Sequence, residues 1–132
     1  GTGPGVVEHF ERRVREHVQA GHIQLRFRHR VSEIKTANGI ITGVAGEILS
    51  DDQKERGEKT NRDVAGEFNL EAASVIVTSG GIGGNFDLVK KNWPRDRLGE
   101  PPEEMVAGVP FHVDGRMIEI AQKAGGNTIN IT

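Results

Sequence analysis

The run from Ala73 to Asp87, ASVIVTSGGIGGNFD, constrains the fold more than any other stretch of this chain. An apolar strand, Val75-Ile76-Val77, empties into Thr78-Ser79 and then into four glycines within five residues. An unbroken apolar run of this kind suits a strand covered on both faces, as in a parallel sheet. Asn85 is a good N-cap, so a helix is expected to start at once, with Asp87 complementing its N-terminus and Lys90 and Lys91 its C-terminus. A strand–glycine–helix turn lets backbone approach a partner closely, often a nucleotide cofactor. The spacing is incomplete as a dinucleotide fingerprint. Gly81-Ile82-Gly83 supplies the first half of G-x-G-x-x-G, but the third position is Phe86, and no acidic residue closes a following strand. On spacing alone, cofactor contact and a tight packing turn both remain open.

The rest of the chain organises around this turn. Pro4 suits a first helical turn, and Val6, Val7, Phe10, Val14 and Val18 recur at helical spacing, predicting a helix over 4–20 stopped by Gly21. Ile23, Leu25, Phe27, His29 and Val31 alternate with Gln24, Arg26, Arg28 and Arg30, which predicts a strand with one buried face and an arginine stripe that could bind phosphates but is more often solvated or ion-paired. Asn38-Gly39 is a two-residue hairpin signal, so 31–37 and 40–48 should pair antiparallel. Residues 50–62, SDDQKERGEKTNR, read as an exposed, mobile loop. A third antiparallel strand is expected over 64–70, with Val64, Phe68 and Leu70 inward. A stretch rich in proline and irregular, 95–110, leads to a last helix over 114–124, ended by Gly125.

At 132 residues the chain is one domain by size, read as 1–49 helix and hairpin, 50–62 loop, and 63–132 strand, glycine turn and helices. The fold class expected is α/β, an α+β fragment. It joins an antiparallel β-meander to part of a parallel sheet with flanking helices. The opening Gly1-Thr2-Gly3-Pro4-Gly5 and the alternating close at 127–132, like a strand beginning, read as an internal fragment of a larger protein. Net charge is −2, so no anionic partner such as nucleic acid is demanded, and the chain has no tyrosine for base stacking. No cysteine means no disulfide, thiolate ligand or cysteine nucleophile. The histidines His9, His17, His22, His29 and His112 lack metal-site spacing, so no metal is expected. His29 falls on the apolar face and reads as a core residue. No signal core or membrane span is evident, which makes the cytoplasm the default location.

AASVIVTSGGIGGNFDLV is similar to the "A-x-x-V-V-L-A-T-G-G-F-x-x-N" segment of FAD-dependent oxidoreductases of the fumarate reductase/succinate dehydrogenase flavoprotein group. The nearest likeness is to bacterial FAD-binding dehydrogenases of the 3-ketosteroid dehydrogenase-like kind. HRVSEIKTANGIITGV resembles the hairpin "V-x-x-L-x-x-x-x-G-x-V-x-G-V", and HVDGRMIEIAQKAGG resembles the helix "G-D-G-x-x-M-A-x-x-x-G-A". The motifs occur in order over nearly the whole chain. Ser79 stands where threonine is usual, and Val113 where glycine is usual. The family's first strand and its G-x-G-x-x-G turn have no counterpart here.

The resemblance implies a flavin-dependent oxidoreductase acting on a carbon–carbon unit, with FAD held in the full-length parent. Residue by residue it implies backbone contacts at Val31 to the adenine edge. Ser79, Gly80 and Gly81 would lie against the flavin side, and Asp114 and Gly115 would approach the cofactor where the last helix begins. Asp114 serves equally as a plain helix cap. No catalytic residue is identifiable. The partners implied are the remainder of the flavoprotein chain and a small-molecule substrate, either a steroid-like ketone or a dicarboxylate. An open sheet edge would also allow a homodimer. Alone, the chain is expected neither to bind FAD tightly nor to turn over. Two other classes stay open on the residues: a structural or interaction module without cofactor, and an NAD-binding domain built on the Gly81 turn.

Overall fold

A computed structural model describes residues 2–55 and 58–129. The elements run α1 (Thr2–Gln19), β1 (His29–Ala37), β2 (Ile40–Leu49), β3 (Val64–Glu71), α2 (Phe86–Lys91), α3 (Arg95–Leu98) and α4 (Arg116–Lys123). The three strands form one antiparallel sheet in the order β1-β2-β3. The β-meander expected from the sequence is therefore present. Asn38 and Gly39 both take positive φ, 53° and 76°, as the tight hairpin turn between β1 and β2 requires. Gly21 (φ 76°) ends α1, and Gly125 (φ 91°) ends α4.

The pairing of β1 with β2 is irregular in two places, and that of β2 with β3 in one, between Ile48 and Leu49. Register shifts fall between Val31 and Glu33 and between Lys35 and Thr36. Opposite them stand Gly46 and Gly43 of the central strand. A Cβ on Gly46 would overlap the Arg30 carbonyl oxygen, and one on Gly43 would overlap that of Leu70. At Gly46 the bulge draws β1 so close that only glycine fits, and at Gly43 it is the backbone of β3 that leaves no room.

The predicted strand over 23–31 is only partly formed. Strand geometry begins at His29, and residues 23–28 are irregular. Arg28 breaks the alternation, since its φ of 59° lies in the left-handed region. Its side chain does not join a solvated stripe. It reaches into the 50–62 segment, where Nε donates to the Ser50 carbonyl at 2.9 Å and Nη2 to Asn61 Oδ1 at 2.9 Å. Nη1 donates to Thr60 Oγ1 at 3.2 Å. Asp52 then accepts from the Asn61 side-chain amide at 2.9 Å and the Lys54 backbone amide at 2.9 Å. Hydrogen bonding, from the Asn61 backbone amide first, holds its carboxyl below the ordinary range. The loop expected to be free is thus anchored at both ends of its described part. Arg28→Ala will release it. Tryptic cleavage after Lys54 or Lys59 should then quicken about tenfold, the equivalent of ~1.4 kcal/mol of lost anchoring. An unchanged cleavage rate would show that the arginine does not hold the loop.

The run 75–78, expected as a strand, forms no strand here, and Ile76 is 89 % exposed. The parallel part of the predicted sheet is therefore absent among the described residues. Residues 127–129 form no strand either, and 130–132 lie outside the described residues. Of the inward set on β3, Phe68 and Leu70 are half-buried, but Val64 is exposed. His29 stacks on Phe68 with ring centroids 4.8 Å apart. Among the described apolar side chains only Ile34 and Leu49 are buried, both on the sheet. α4 packs against β1, which brings the last helix to the first strand.

Candidate functional site

The glycine turn and the start of α4 are built as one unit. Asn85 caps α2 as its sequence suggests, its Oδ1 accepting from the Leu88 amide at 3.1 Å. Its Nδ2 donates to the Asp114 carbonyl at 3.3 Å. The Gly84 amide donates to the Val113 carbonyl at 2.8 Å. A Cβ on Gly83 would sit 2.9 Å from Val109 Cγ2, and one on Gly84 2.7 Å from the Pro110 carbonyl oxygen. Gly115, at φ 79°, leaves room for Ile82 and Leu88, whose methyls would lie 2.7 and 2.8 Å from an added Cβ. Three of these glycines therefore serve close packing within the chain.

Gly80 and Gly81 differ from those three. Gly80 has φ 81°, and its Cβ would lie 3.1 Å from Val113 Cγ1. Gly81 has no atom within 4 Å of where its Cβ would be, and its φ lies outside the left-handed region. Nothing in the described chain requires glycine at 81.

Asp114 stands just ahead of α4. Its Oδ1 accepts from the Arg116 amide at 3.1 Å, and its Oδ2 pairs with the Arg116 guanidinium at 2.7 Å. Partial burial pushes its pKa up, but the Arg116 side-chain and backbone hydrogen bonds outweigh this and bring the carboxyl below its ordinary value. Asp114 is thus a fixed anion at the helix start. The helix cap proper is Gly115, in the left-handed conformation, so Asp114 acts one residue before the cap position.

A cavity of about 350 Å³ opens between β1, the 75–79 run and the start of α4. Val31, Ser79, Asp114 and Gly115 all line it. Those four of the six residues singled out in the sequence are brought together from positions as far as 84 apart in the chain. Gly80 and Gly81 adjoin Ser79 but are not among its lining. Its walls are apolar at Val44, Ile76 and Met117 and polar at Thr78, His112 and Arg116. At Val31 the bulge displaces Ser32 from the ladder, and β1 is an edge strand. An edge strand carries main-chain donors and acceptors on its outer side that no other described strand pairs. The volume is at the lower end of the ~300–1,000 Å³ usual for small-molecule pockets. It would admit one ring system of a dinucleotide, not the whole. His112, which the sequence marked only as one of five histidines without metal-site spacing, lines this wall too.

A second cavity of about 360 Å³ shares Arg30, His112, Asp114 and Arg116 and extends to Arg28, Arg62 and Phe111. Sequence reasoning missed Phe111. Lys59 and Arg62 of the anchored loop lie over its ring, 5.2 and 5.1 Å from the centroid. Such cation–aromatic contacts between segments distant in sequence leave no local signature. Arg30 pairs with Glu47 at 2.8 Å, so this part of the arginine stripe is ion-paired, one of the two outcomes expected of it. Among the described residues no cluster of His, Asp and Glu could hold a metal ion. No described helix is long and apolar enough to cross a membrane.

Comparison with known proteins places the chain in context. The model of the FAD binding domain family matches residues 1–131. A KsdD-like steroid dehydrogenase of Mycolicibacterium smegmatis is 50 % identical over 130 residues, which cover 98 % of this chain and 23 % of that protein. A KsdD-like steroid dehydrogenase of Mycobacterium tuberculosis is 46 % identical over 130 residues, 98 % of this chain and 22 % of that protein. The chain therefore spans less than a quarter of the length of these curated relatives. No solved structure gives a significant match.

Proposed function

The chain belongs to the FAD-binding domain family, and we propose that it forms one wall of the FAD site of a flavin-dependent dehydrogenase that acts on a steroid-like ketone. The convergence of Val31, Ser79, Asp114 and Gly115 on a single cavity carries this reading. The names of the two relatives supply the substrate class. FAD held in the full-length protein would supply hydride transfer to or from a carbon–carbon unit. The residues of this chain position and shield. Main chain at Val31, on the edge strand β1, offers hydrogen bonds along a ring edge. Val44, Ile76 and Met117 would give that ring an apolar bed. The Ser79 hydroxyl can donate to or accept from a polar cofactor atom. Gly80 and Gly81 allow a ring to approach the backbone.

Asp114 stays ionised and tied to Arg116, so it offers an acceptor to a hydroxyl or an N–H and not a proton. No residue among those lining the cavity stands out as the acid or base of the reaction. In this reading the rest of the flavoprotein supplies that group and the phosphate-binding turn, and a parallel sheet that includes the 75–78 run. The 132-residue chain alone binds FAD weakly and is inactive.

The test is a polypeptide of the relatives' length that contains this sequence, purified and examined for bound flavin. It should carry flavin absorbance that bleaches when a saturated 3-ketosteroid is added without oxygen. A colourless polypeptide would refute the FAD reading. Bleaching by a dicarboxylate such as succinate and not by steroid would overturn the substrate class alone.

A further inference from the structure

The chain as a whole is slightly acidic, with a net charge of −2, yet its arginines gather in one place. Arg28, Arg30, Arg62 and Arg116 all line the second cavity, of about 360 Å³, against a single carboxylate, Asp114. Arg28, Arg30 and Arg62 are half-buried. A guanidinium taken partly out of water ordinarily stands beside an anion, because its lost hydration has to be replaced. Arg30 has Glu47, and Arg116 has Asp114. Arg28 and Arg62 have no carboxylate within ion-pair distance among the described residues. Arg28 is held by neutral acceptors, the Ser50 carbonyl, Thr60 Oγ1 and Asn61 Oδ1, and Asp52 senses its charge only from farther away. Arg62 lies 5.1 Å from the Phe111 ring centroid, on a ring it shares with Lys59 at 5.2 Å. Two cations on one ring repel each other, and a ring quadrupole satisfies neither as an anion does.

We propose that this second cavity is a binding site for the oxyanion, a phosphate or a carboxylate, of a second ligand that sits beside the flavin cofactor. The adjacency rests on the FAD reading, and the anion site does not. A guanidinium presents a planar fork of N–H donors that matches the oxygens of either group. Arg28 and Arg62 supply the uncompensated charge, and Arg30 and Arg116 border the same space. Leu49, 4 % exposed, and Phe111 give the cavity apolar walls, which thin the water around the arginines and strengthen their pull on an anion. Partial burial also weakens the screening that salt imposes on exposed charges.

The diphosphate of the cofactor itself does not suit this place. In the FAD reading the cofactor meets Val31 at one end and Ser79 at the other, and both line the first cavity and not the second. The second cavity runs the other way, from the shared wall of Arg30, His112, Asp114 and Arg116 toward Arg62 and Phe111. The shared wall puts a bound anion next to the cofactor without placing it between the cofactor's two ends.

The test uses the polypeptide of the relatives' length, flavin-free and flavin-loaded, with inorganic phosphate as the probe. Phosphorus NMR line broadening is followed as phosphate is added at constant ionic strength set with sodium chloride. Both forms should show one saturable site with a Kd on the order of 1 mM or tighter. Arg62→Gln should weaken it at least about tenfold. Arg62→Lys, which restores the charge without the fork, should fall between the two. Arg97→Gln, an exposed arginine of α3 outside the cavity, should bind as the unaltered protein does. Absence of saturable binding would overturn the proposal, as would equal binding by the Arg62→Gln and Arg97→Gln proteins. An Arg62→Lys protein as weak as Arg62→Gln would show that the side chain shapes the loop instead of holding the anion, and would overturn it too. Binding confined to the flavin-free form would give the site to the cofactor's own phosphates and remove the second ligand. A polypeptide that carries no flavin yet binds phosphate through Arg62 would refute the FAD reading and leave the anion site standing.

Discussion

Gly46→Val will abolish the folded meander. The Gly46 backbone lies against Arg30 where the bulge at Ser32 crowds β1 onto β2, and a Cβ there would overlap the Arg30 carbonyl oxygen. The obstacle is backbone, so no rotamer change can relieve it. Relief requires β1 to move away, which breaks the ladder on both sides of the bulge. Ile34 and Leu49, the buried apolar pair, sit on these two strands. The cost is expected to be on the order of 3 kcal/mol or more, a large part of what a domain this size commands. Gly66→Val is the matched control. Gly66 is in β3, and its Cβ would meet nothing closer than Ile48 Cδ1 at 4.0 Å, an ordinary contact. Valine there should cost less than about 1 kcal/mol and can help, because it favours strands. Urea unfolding followed by circular dichroism separates the two, and equal midpoints would disprove the crowding.

The same residue shows where sequence reasoning stops. The antiparallel pairing of 31–37 with 40–48, the Asn38-Gly39 turn and the Asn85 cap were legible because each follows from a local rule acting on neighbouring residues. The bulges at Ser32 and near Lys35 were not. They depend on how β1 and β2 twist together, and Gly43 and Gly46 look like ordinary strand weaknesses until the strands are paired. Arg28 was misplaced for a related reason. Period two put it on a solvated face, but its left-handed backbone turns it into the 50–62 loop, where Ser50, Thr60 and Asn61 satisfy it. The charged composition of that loop argued for mobility, yet charge also supplies the donors and acceptors that tie it down. The segments 23–27 and 75–78 show the opposite failure. Their patterns are strand patterns, and what they lack among the described residues is a partner. Pattern records the environment for which a segment is suited, and pairing needs the neighbour as well.

For the site, the family resemblance implied Val31, Ser79, Gly80, Gly81, Asp114 and Gly115, and the fold sets four of these, Val31, Ser79, Asp114 and Gly115, around one cavity. It could not distinguish the roles of the glycines. Gly83, Gly84 and Gly115 are each explained by an atom of the chain itself, Val109, Pro110 or Ile82. Those positions would be glycine with or without a ligand.

Gly81 is the residue that separates packing from binding. Its Cβ would point into open space, with nothing within 4 Å. Gly81→Val should therefore leave the folded chain within about 0.5 kcal/mol of the original, as surface substitutions generally do. The proposed flavin contact predicts a different outcome in the polypeptide of the relatives' length. Three carbon atoms would stand where a ring must approach the Ser79–Gly81 backbone, and flavin affinity should fall at least about tenfold, or ~1.4 kcal/mol. Melting of the flavin-free protein should not move, because nothing in this chain fills the space. Flavin release on dilution measures the first quantity, and calorimetry of the flavin-free protein the second. Lost affinity with unchanged melting assigns Gly81 to the cofactor. Lower melting of the flavin-free protein would show that another part of the polypeptide occupies that space, and unchanged affinity would remove Gly81 from the site.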